Sequence, residues 1–447
     1  MPLTPDEALE LAAEVKKIRE AEAERLDLIY HYLRDDPEER LLGGLPADAP
    51  QDVKRLSRLS RVNLLKYVVS ARVQGMYVEG FQTPTAPGNL EPWEVWQRNR
   101  FDARQIGVHR SGLSYGASYV TVLPGEPVPV VRGVSPRDLT VAWGDDDDWP
   151  RAALWRRRHG RWRLIDEEAV YELTDRSGSG FDLVDGGVSL HEATYDGEPV
   201  CPVVRFRDTD DLDCPVRGVV EPHMALQDQI NITTFGLQVA QHYGAFRQRY
   251  IIGWLAKTEQ EALKMGAARV MTFDDTPSDV SVGEFAQTDL RGYIESREAT
   301  IRHLATISQT PVHELLGELV NLSAEALEAA RASHHAAVDE NRIMAGEAWE
   351  QALNLAGEMM GEKVDPMAAV LWRDTRVRSL NEAATAFGAL VRDLGVPPRE
   401  LWKRIPGISQ HEIEAWIEAA DADPDPFTDL ERMLDRQASG QPAPAPA

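Results

Sequence analysis

The 447-residue chain carries 48 Lys plus Arg against 73 Asp plus Glu, a formal net charge of -25, with 43% hydrophobic residues. That balance predicts a folded protein of more than one domain. The acidic surplus argues against a conventional DNA reader, which clusters Lys and Arg to displace counterions from phosphates.

The chain has no apolar run long enough for a membrane-spanning helix. The opening Met1-Pro2-Leu3-Thr4-Pro5 lacks the pattern of a secretory leader. Cys201 and Cys214 predict idle thiols in a reducing compartment and no disulfide framework.

The first predicted helix starts at Thr4, with Pro5 in the first turn and Glu7 placed for a capping box. Leu11, Val15, Ile18, Leu26, Ile29 and Leu33 form its apolar stripe, and Pro37 follows its end. A second helix is expected from Val53 to Gln74, then a strand from Met76 to Phe81 and a helix from Trp93 to Tyr115. Strands then dominate, at Ser118–Leu123, Val128–Val134, Leu139–Trp143, Leu154–His159, Arg161–Ile165, Ala169–Thr174 and Val200–Phe206. The arginine-rich stretch Trp155 to Arg163 reads as a hairpin turning near Gly160, its arginines either solvated charges guarding a strand edge, the favoured reading, or a basic patch. Asp145 to Asp148 read as a solvated acidic turn, since they lack the spacing of a calcium loop.

Beyond Arg217 helices return, first at Val219–Tyr243. A mixed segment, Ala245–Gln287, is expected to hold strands at Arg249–Trp254 and Ala268–Phe273 around a short helix at Thr258–Met265. A helix at Thr288–Ile307 follows, closed by Pro311. The longest helix runs from beyond Ser323 to about Gly361, with Glu325 in its first turn and bends expected at Gly346 and Gly357. Leu327, Ala330, Ala337, Ala345, Ala348, Ala352, Leu355 and Met359 give it a narrow, small-residue seam. A last helical part, Leu380 to Ala420, precedes a Pro/Ala tail too poor in apolar bulk to fold alone.

Chemistry-bearing motifs are missing. There is no P-loop, Gly-x-Ser-x-Gly elbow, His-Glu-x-x-His or Cys-x-x-Cys, so the common enzyme classes are not signalled and no cofactor or metal is expected. His335 and Asp339 share a helix face beside His334, but a metal would need a further ligand that nothing signals.

Four ordered stretches resemble the portal proteins of long-tailed double-stranded DNA bacteriophages. They are Asn63 to Phe81; Trp96 to Asn99 with Asp102, leading to Gly112–Val120; Pro202–Phe206 with the helix containing Asp228-Gln229-Ile230-Asn231; and Asn321 to Leu327 at the head of the long helix. The resemblance covers roughly residues 60 to 360 and implies an α+β portal-like subunit. Its parts would be a mixed α/β wing (1–218), a stem of two helices (219–243 and 288–308) and a small α/β clip between them (244–287). They would continue with a tunnel loop (309–322), a long kinked wing helix and the segment after it (323–378), a helical crown (379–420) and a flexible tail (421–447).

The tunnel loop that meets DNA would be Gln309, Thr310, Pro311, Val312, His313, Glu314, Leu315, Leu316, Gly317, Glu318, Leu319, Val320, Asn321 and Leu322. It contains no Lys or Arg, and Pro311 and Gly317 allow a bent, mobile path. On the second stem helix, Arg291, Glu295, Glu298 and Arg302 form a polar stripe opposite Ile294, Ile301 and Leu304, with two opposite-sign pairs at i, i+4.

The implied function is structural: a homo-oligomeric ring, expected to be a dodecamer, at one capsid vertex. Double-stranded DNA would pass through it without sequence specificity during packaging and ejection. Implied partners are the terminase large subunit, a head-completion adaptor protein, and the major capsid and scaffolding proteins, with no membrane. The implied location is the virion, and the host cytoplasm during assembly. The alternatives are a hydrolase with an unrecognised acidic active site, or another capsid-associated structural protein.

Overall fold

A computed structural model describes residues 1–34, 45, 48–82, 90–144, 148–175, 180–209, 216–244, 249–252, 281–284, 289–317, 324–373, 380–402, 405 and 410–422. It divides into two units, Met1–Val370 and Leu371–Ala447.

Helix α1 (Pro5–Leu33) begins with the expected capping box. Thr4 Oγ1 accepts from the Glu7 amide, and the Glu7 carboxylate accepts from Thr4 N at 2.8 Å. Two donors that a helix start leaves unpaired are thereby satisfied. The buried face is Ala8, Ala12, Val15, Leu26 and Ile29; Ile18, expected in the stripe, is exposed. Small residues at Ala8 and Ala12 let the helix lie close on a sheet.

That sheet is an antiparallel meander of β4 (Leu139–Trp143), β5 (Pro150–Arg156), β6 (Arg161–Ile165), β7 (Ala169–Asp175) and β8 (Phe181–Leu190). Leu154, Leu164, Tyr171 and Leu173 pack with α1, while Ala153, Trp155, Ile165 and Val170 face a second sheet. The second sheet orders β11 (Val203–Arg207), β2 (Ala117–Leu123) and β3 (Val130–Val134), and supplies Tyr119, Val134 and Val203 to the shared core. With both faces covered, alternation is lost in β5, whose Ala152 to Trp155 are all buried.

The hairpin turns at His159 and Gly160, both at positive φ. Arg156 pairs with Asp138 and Arg163 with Glu172, but β5 and β6 are inner strands of the sheet, each paired on both sides, so the expectation that these charges guard an edge is corrected. The expected strand Leu154–His159 instead runs Pro150–Arg156, and that at Val200–Phe206 starts at Val203. Strand β8 and the small hairpin of β9 (Thr194–Tyr195) and β10 (Glu198–Pro199) were not anticipated. Asp145–Asp147 lie outside the described residues.

Two expected helices are each broken in two. In place of Val53–Gln74 stand α2 (Gln51–Leu59) and α3 (Leu64–Gln74), followed by β1 (Val78–Gln82). Donors at the break are satisfied from far along the chain: Gln227 Oε1 accepts from Leu64 N (3.0 Å) and Leu65 N (3.3 Å), and Asn231 Oδ1 from Val62 N (3.1 Å). In place of Trp93–Tyr115 stand α4 (Leu90–Arg98) and α5 (Phe101–Tyr115), separated by Arg100 at φ 58. There Asp102 Oδ1 accepts from Trp96 Nε1 (3.0 Å), and Asn99 ties the turn to Val131 N (3.0 Å).

The chain then enters the helical half through a crossing of two glycines. A Cβ on Gly116 (φ +90) would meet Arg217 C at 2.8 Å, and one on Gly218 would meet Gly116 N and Leu113 O at 2.5 Å. Val219 N donates to Leu113 O at 2.7 Å. Only glycine at both positions permits this approach.

Helix α6 (Met224–Gly244) starts later than Val219 because Pro222 sits in a 3-10 turn at Glu221–His223. It packs against α7 (Arg291–Ile307), with the Tyr293 ring over Gly236. Between them, β12 (Arg249–Ile252) pairs with β13 (Ser281–Glu284). The expected strand Ala268–Phe273 and helix Thr258–Met265 lie outside the described residues. A one-turn helix, α8 (Val312–Leu316), precedes α9 (Ala324–Glu358), whose 35 residues span ~52 Å.

Of the expected seam on α9, Ala337, Ala345, Ala348, Ala352 and Leu355 are buried, while Ala330 is exposed. Its centre is a residue outside that seam, Trp349, ringed by Trp96 (4.8 Å between centroids), Phe101 (5.3 Å) and Phe206 (4.5 Å). Ser323, the expected cap, lies outside the described residues.

A short strand, β14 (Ala369–Trp372), follows. In the second unit, three helices stand where one stretch was expected: α10 (Leu380–Leu394), α11 (Pro398–Trp402) and α12 (Gln410–Ala422). Gly395 at φ +65 interrupts the first two.

Candidate functional site: the anchored segment between two helices

The candidate segment leaves α7 through a tight reversal. Ser308 N and Thr310 N donate to Leu304 O and Ala305 O, both at 2.9 Å, and Gln309 takes φ 53. Ser308 Oγ and Thr310 Oγ1 hydrogen bond at 3.0 Å in a buried setting. Pro311, fixed near φ -59, opens α8, and Gly317 at φ 67 closes it, with Leu315 pointing into the core.

Three elements hold this path. From α9, Arg331 reaches Glu314 Oε1 through Nε (3.1 Å) and Nη2 (2.6 Å); from α3, Tyr67 OH donates to Glu314 Oε2 (3.1 Å). Burial and the Glu314 carboxylate raise the Tyr67 pKa, so its hydroxyl keeps its proton and stays a donor. Desolvation lowers the His334 pKa, leaving a neutral ring whose Nδ1–H donates to Gln309 O at 3.2 Å.

Beneath the reversal runs a buried polar chain. Arg72 Nη2 donates to Ser308 O (3.1 Å) and Nη1 to Asn341 Oδ1 (3.4 Å), and Asn341 Nδ2 donates to Asp208 Oδ1 (2.9 Å). Burial raises the Asp208 carboxyl to about 7, with Arg72 and Asn341 opposing the shift.

Gln309, Thr310, Pro311, Val312, His313, Glu314, Leu315, Leu316 and Gly317 are therefore a packed, braced unit as far as they are described. Glu318, Leu319, Val320, Asn321 and Leu322 lie outside the described residues. Residues 309–322 contain no Lys or Arg of their own, but Glu314 is neutralised by Arg331 of α9.

The polar stripe on α7 is less regular than expected. Glu298 and Arg302 pair at 3.2 Å, whereas Arg291 and Glu295 do not contact each other as an ion pair. Ile301 and Leu304 are buried behind the stripe, but Ile294 is 44% exposed, like Tyr293 at 38%. His335 lies 3.7 Å from Glu328, and Asp339 meets Arg342. Among the described residues no group of acids, His and Cys could hold a metal.

Sequence reasoning missed the second brace of α9. Trp349 Nε1 donates to His109 Nε2 (2.8 Å), and His109 Nδ1 lies 3.1 Å from Met76 O. Indole can only donate, so the ring is neutral with its proton on Nδ1. Burial agrees, pulling the His109 pKa down to about 4. The arrangement fixes one loop and one helix to the sheet-bearing body.

The family described as "Phage portal protein, SPP1 Gp6-like" matches residues 12–425. The portal protein of Mycobacterium phage D29 is 23% identical over 414 residues, covering 82% of this chain and 80% of the relative. That of Mycobacterium phage L5 is 24% identical over 408 residues, covering 85% and 83%. Among solved structures, a chain of the virion of a native gene transfer agent particle aligns over 79% of this chain and 91% of its own, with 16% identity and a TM-score of 0.48.

Proposed function

This chain belongs to the SPP1 Gp6-like phage portal protein family, and from that premise we propose that its copies close into a ring at one capsid vertex. Double-stranded DNA passes through the ring during packaging and ejection. The observation that carries the reading is the family match across residues 12–425, which takes in the helix pair α6/α7, the inserted residues between them and the long helix α9. Head-to-tail contacts between copies close a ring when the rotation permits. Ile232, Tyr293 and Ile294, exposed on the helix pair, offer apolar surface for such a contact.

In this reading α6 and α7 are the stem, the residues between them the clip, 1–218 the wing and 379–420 the crown. The ring is a dodecamer. The clip docks the terminase large subunit and later a head-completion adaptor, while the outer body meets capsid and scaffolding proteins. The segment 309–322 is the tunnel loop, and its described part is bolted to α3 and α9. A net charge of -25 suits a conduit, since clustered cations would hold phosphates and oppose sliding.

Native mass measurement tests the ring: a closed assembly of about a dozen copies is expected through repeated contacts, and a monomer at every concentration refutes it. Replacing Val312–Val320 by a Gly-Ser link tests the loop. Rings should persist while packaged DNA falls or leaks. Charge reversal at Glu295 and Glu298 should disturb assembly or DNA retention more than folding. Full packaging by either variant removes the role assigned to the residues it changes.

A further inference from the structure

Away from the braced segment, α5, β3 and β5 enclose an open cleft of about 580 Å³. Arg104 stands on α5, Arg132 on β3 and Arg157 just beyond β5; Gly107, Ser111 and Trp155 complete the lining that matters here. None of the three guanidinium groups has an ion-pair partner among the described residues. In a chain with 73 acidic residues against 48 basic ones, that is unexpected, because carboxylates are in surplus. Arg157 lies over the Trp155 ring at 4.2 Å, which holds one donor edge in place. Burial and the like charges of Arg163 and Arg132 lower the Arg157 pKa, with Glu172 the opposing charge; the cleft is thus short of anions. Ser111 Oγ, shielded from solvent, has no hydrogen-bond partner.

We infer that this cleft binds a carboxylate-rich peptide segment, with Arg104, Arg132 and Arg157 each able to grip a carboxylate through two N–H groups. Three features favour this ligand. Guanidinium matches carboxylate geometry in a bidentate fashion. The volume suits several side chains, more than one free phosphate fills. The site is concave within a strongly acidic molecule, so an extended duplex meets repulsion before its backbone reaches the arginines, whereas a short acidic segment can enter. This inference does not depend on ring formation.

Gly107 supplies a test that leaves every arginine in place. A Cβ there has nothing within 4 Å, so Gly107→Trp projects into the cleft from a helix that tolerates a side chain at that point. Fluorescein-labelled octaglutamate is titrated into the full chain and followed by anisotropy, with inorganic phosphate and a short DNA duplex as competitors. Expected are salt-sensitive binding by the parent, weakening of tenfold or more in the double variant Arg104→Glu/Arg132→Glu, and a similar loss in Gly107→Trp. Unchanged binding is expected in Arg158→Glu/Arg161→Glu, whose arginines do not line the cleft. Circular dichroism melting checks that each variant is folded, and Arg104→Gln/Arg132→Gln replaces the reversal if it is not. No binding by the parent, equal binding by the plugged variant, or displacement of the peptide by duplex or phosphate at lower concentration would each overturn the assignment.

Discussion

Replacing Asp208 by Asn should change how stability depends on pH, because this carboxyl is buried at 3% exposure with its pKa moved from 3.8 to about 7. Between about pH 4 and pH 7 the folded protein holds a proton that the unfolded chain has released, so stability falls as pH rises. Below about pH 4 both states are protonated and the contribution is complete; above about pH 7 both are ionised and it is gone. At ~1.4 kcal/mol per unit, a displacement of about three units corresponds to ~4 kcal/mol lost across that window. Asn mimics the protonated acid: it keeps an oxygen for Asn341 Nδ2 and does not titrate. Other titrating groups are common to both proteins, so their difference isolates this one. Urea unfolding followed by tryptophan fluorescence at several pH values should give near-equal stabilities at the acid end. Toward pH 8 the variant should become the more stable by several kcal/mol. Parallel profiles for the two proteins would refute both the burial argument and the polar chain built on it.

Trp349→Phe should destabilise the chain by about 2–3 kcal/mol, since it removes part of a buried ring and leaves His109 Nε2 without its donor; thermal melting checks this, and a neutral result would mean that the cluster repacks freely. Glu314→Gln should cost about 1–2 kcal/mol locally by replacing a charge-assisted contact with Arg331, partly screened because both groups touch solvent. Hydrogen exchange should quicken at residues 308–317 while α5 is unaffected, and uniform protection would contradict the bracing role.

Features written in local residues were read in good part. The α1 start needs only Thr4, Pro5 and Glu7, and β4, β6 and β7 stand where they were expected, closed by nearby Gly, Pro and Asp, whereas β5 was placed four residues late and β8 was missed. Features set by distant residues were not. The break before α3 depends on Gln227 and Asn231, more than 160 residues away, so the stretch from Val53 to Gln74 looked continuous. At Arg100 the chain adopts a left-handed turn that no glycine announces.

The quoted family stretches contain several of these tethers. Asn99 and Asp102 secure the α4–α5 turn, and Asn231 the α2–α3 break. For the candidate segment, the absence of Lys and Arg was visible, but the countercharge on Glu314 comes from Arg331 on another helix. The small-residue seam on α9 was also visible, whereas Trp349 gains its meaning from Trp96, Phe101, His109 and Phe206, which only folding gathers.

The crossing of Gly116 and Gly218 decides how force travels through the subunit. Most joints between a helix and a sheet are cushioned by side chains, which yield by rotating about their χ angles. Here main chain rests on main chain, pinned by the Val219 N to Leu113 O bond and by Asp208 N to Gly116 O at 3.0 Å. A push or twist along α6 therefore reaches the end of α5 and the root of β2 without a soft layer to absorb it. The lead-in to α6 is thus coupled to the end of α5 and the root of β2 through main-chain contacts alone.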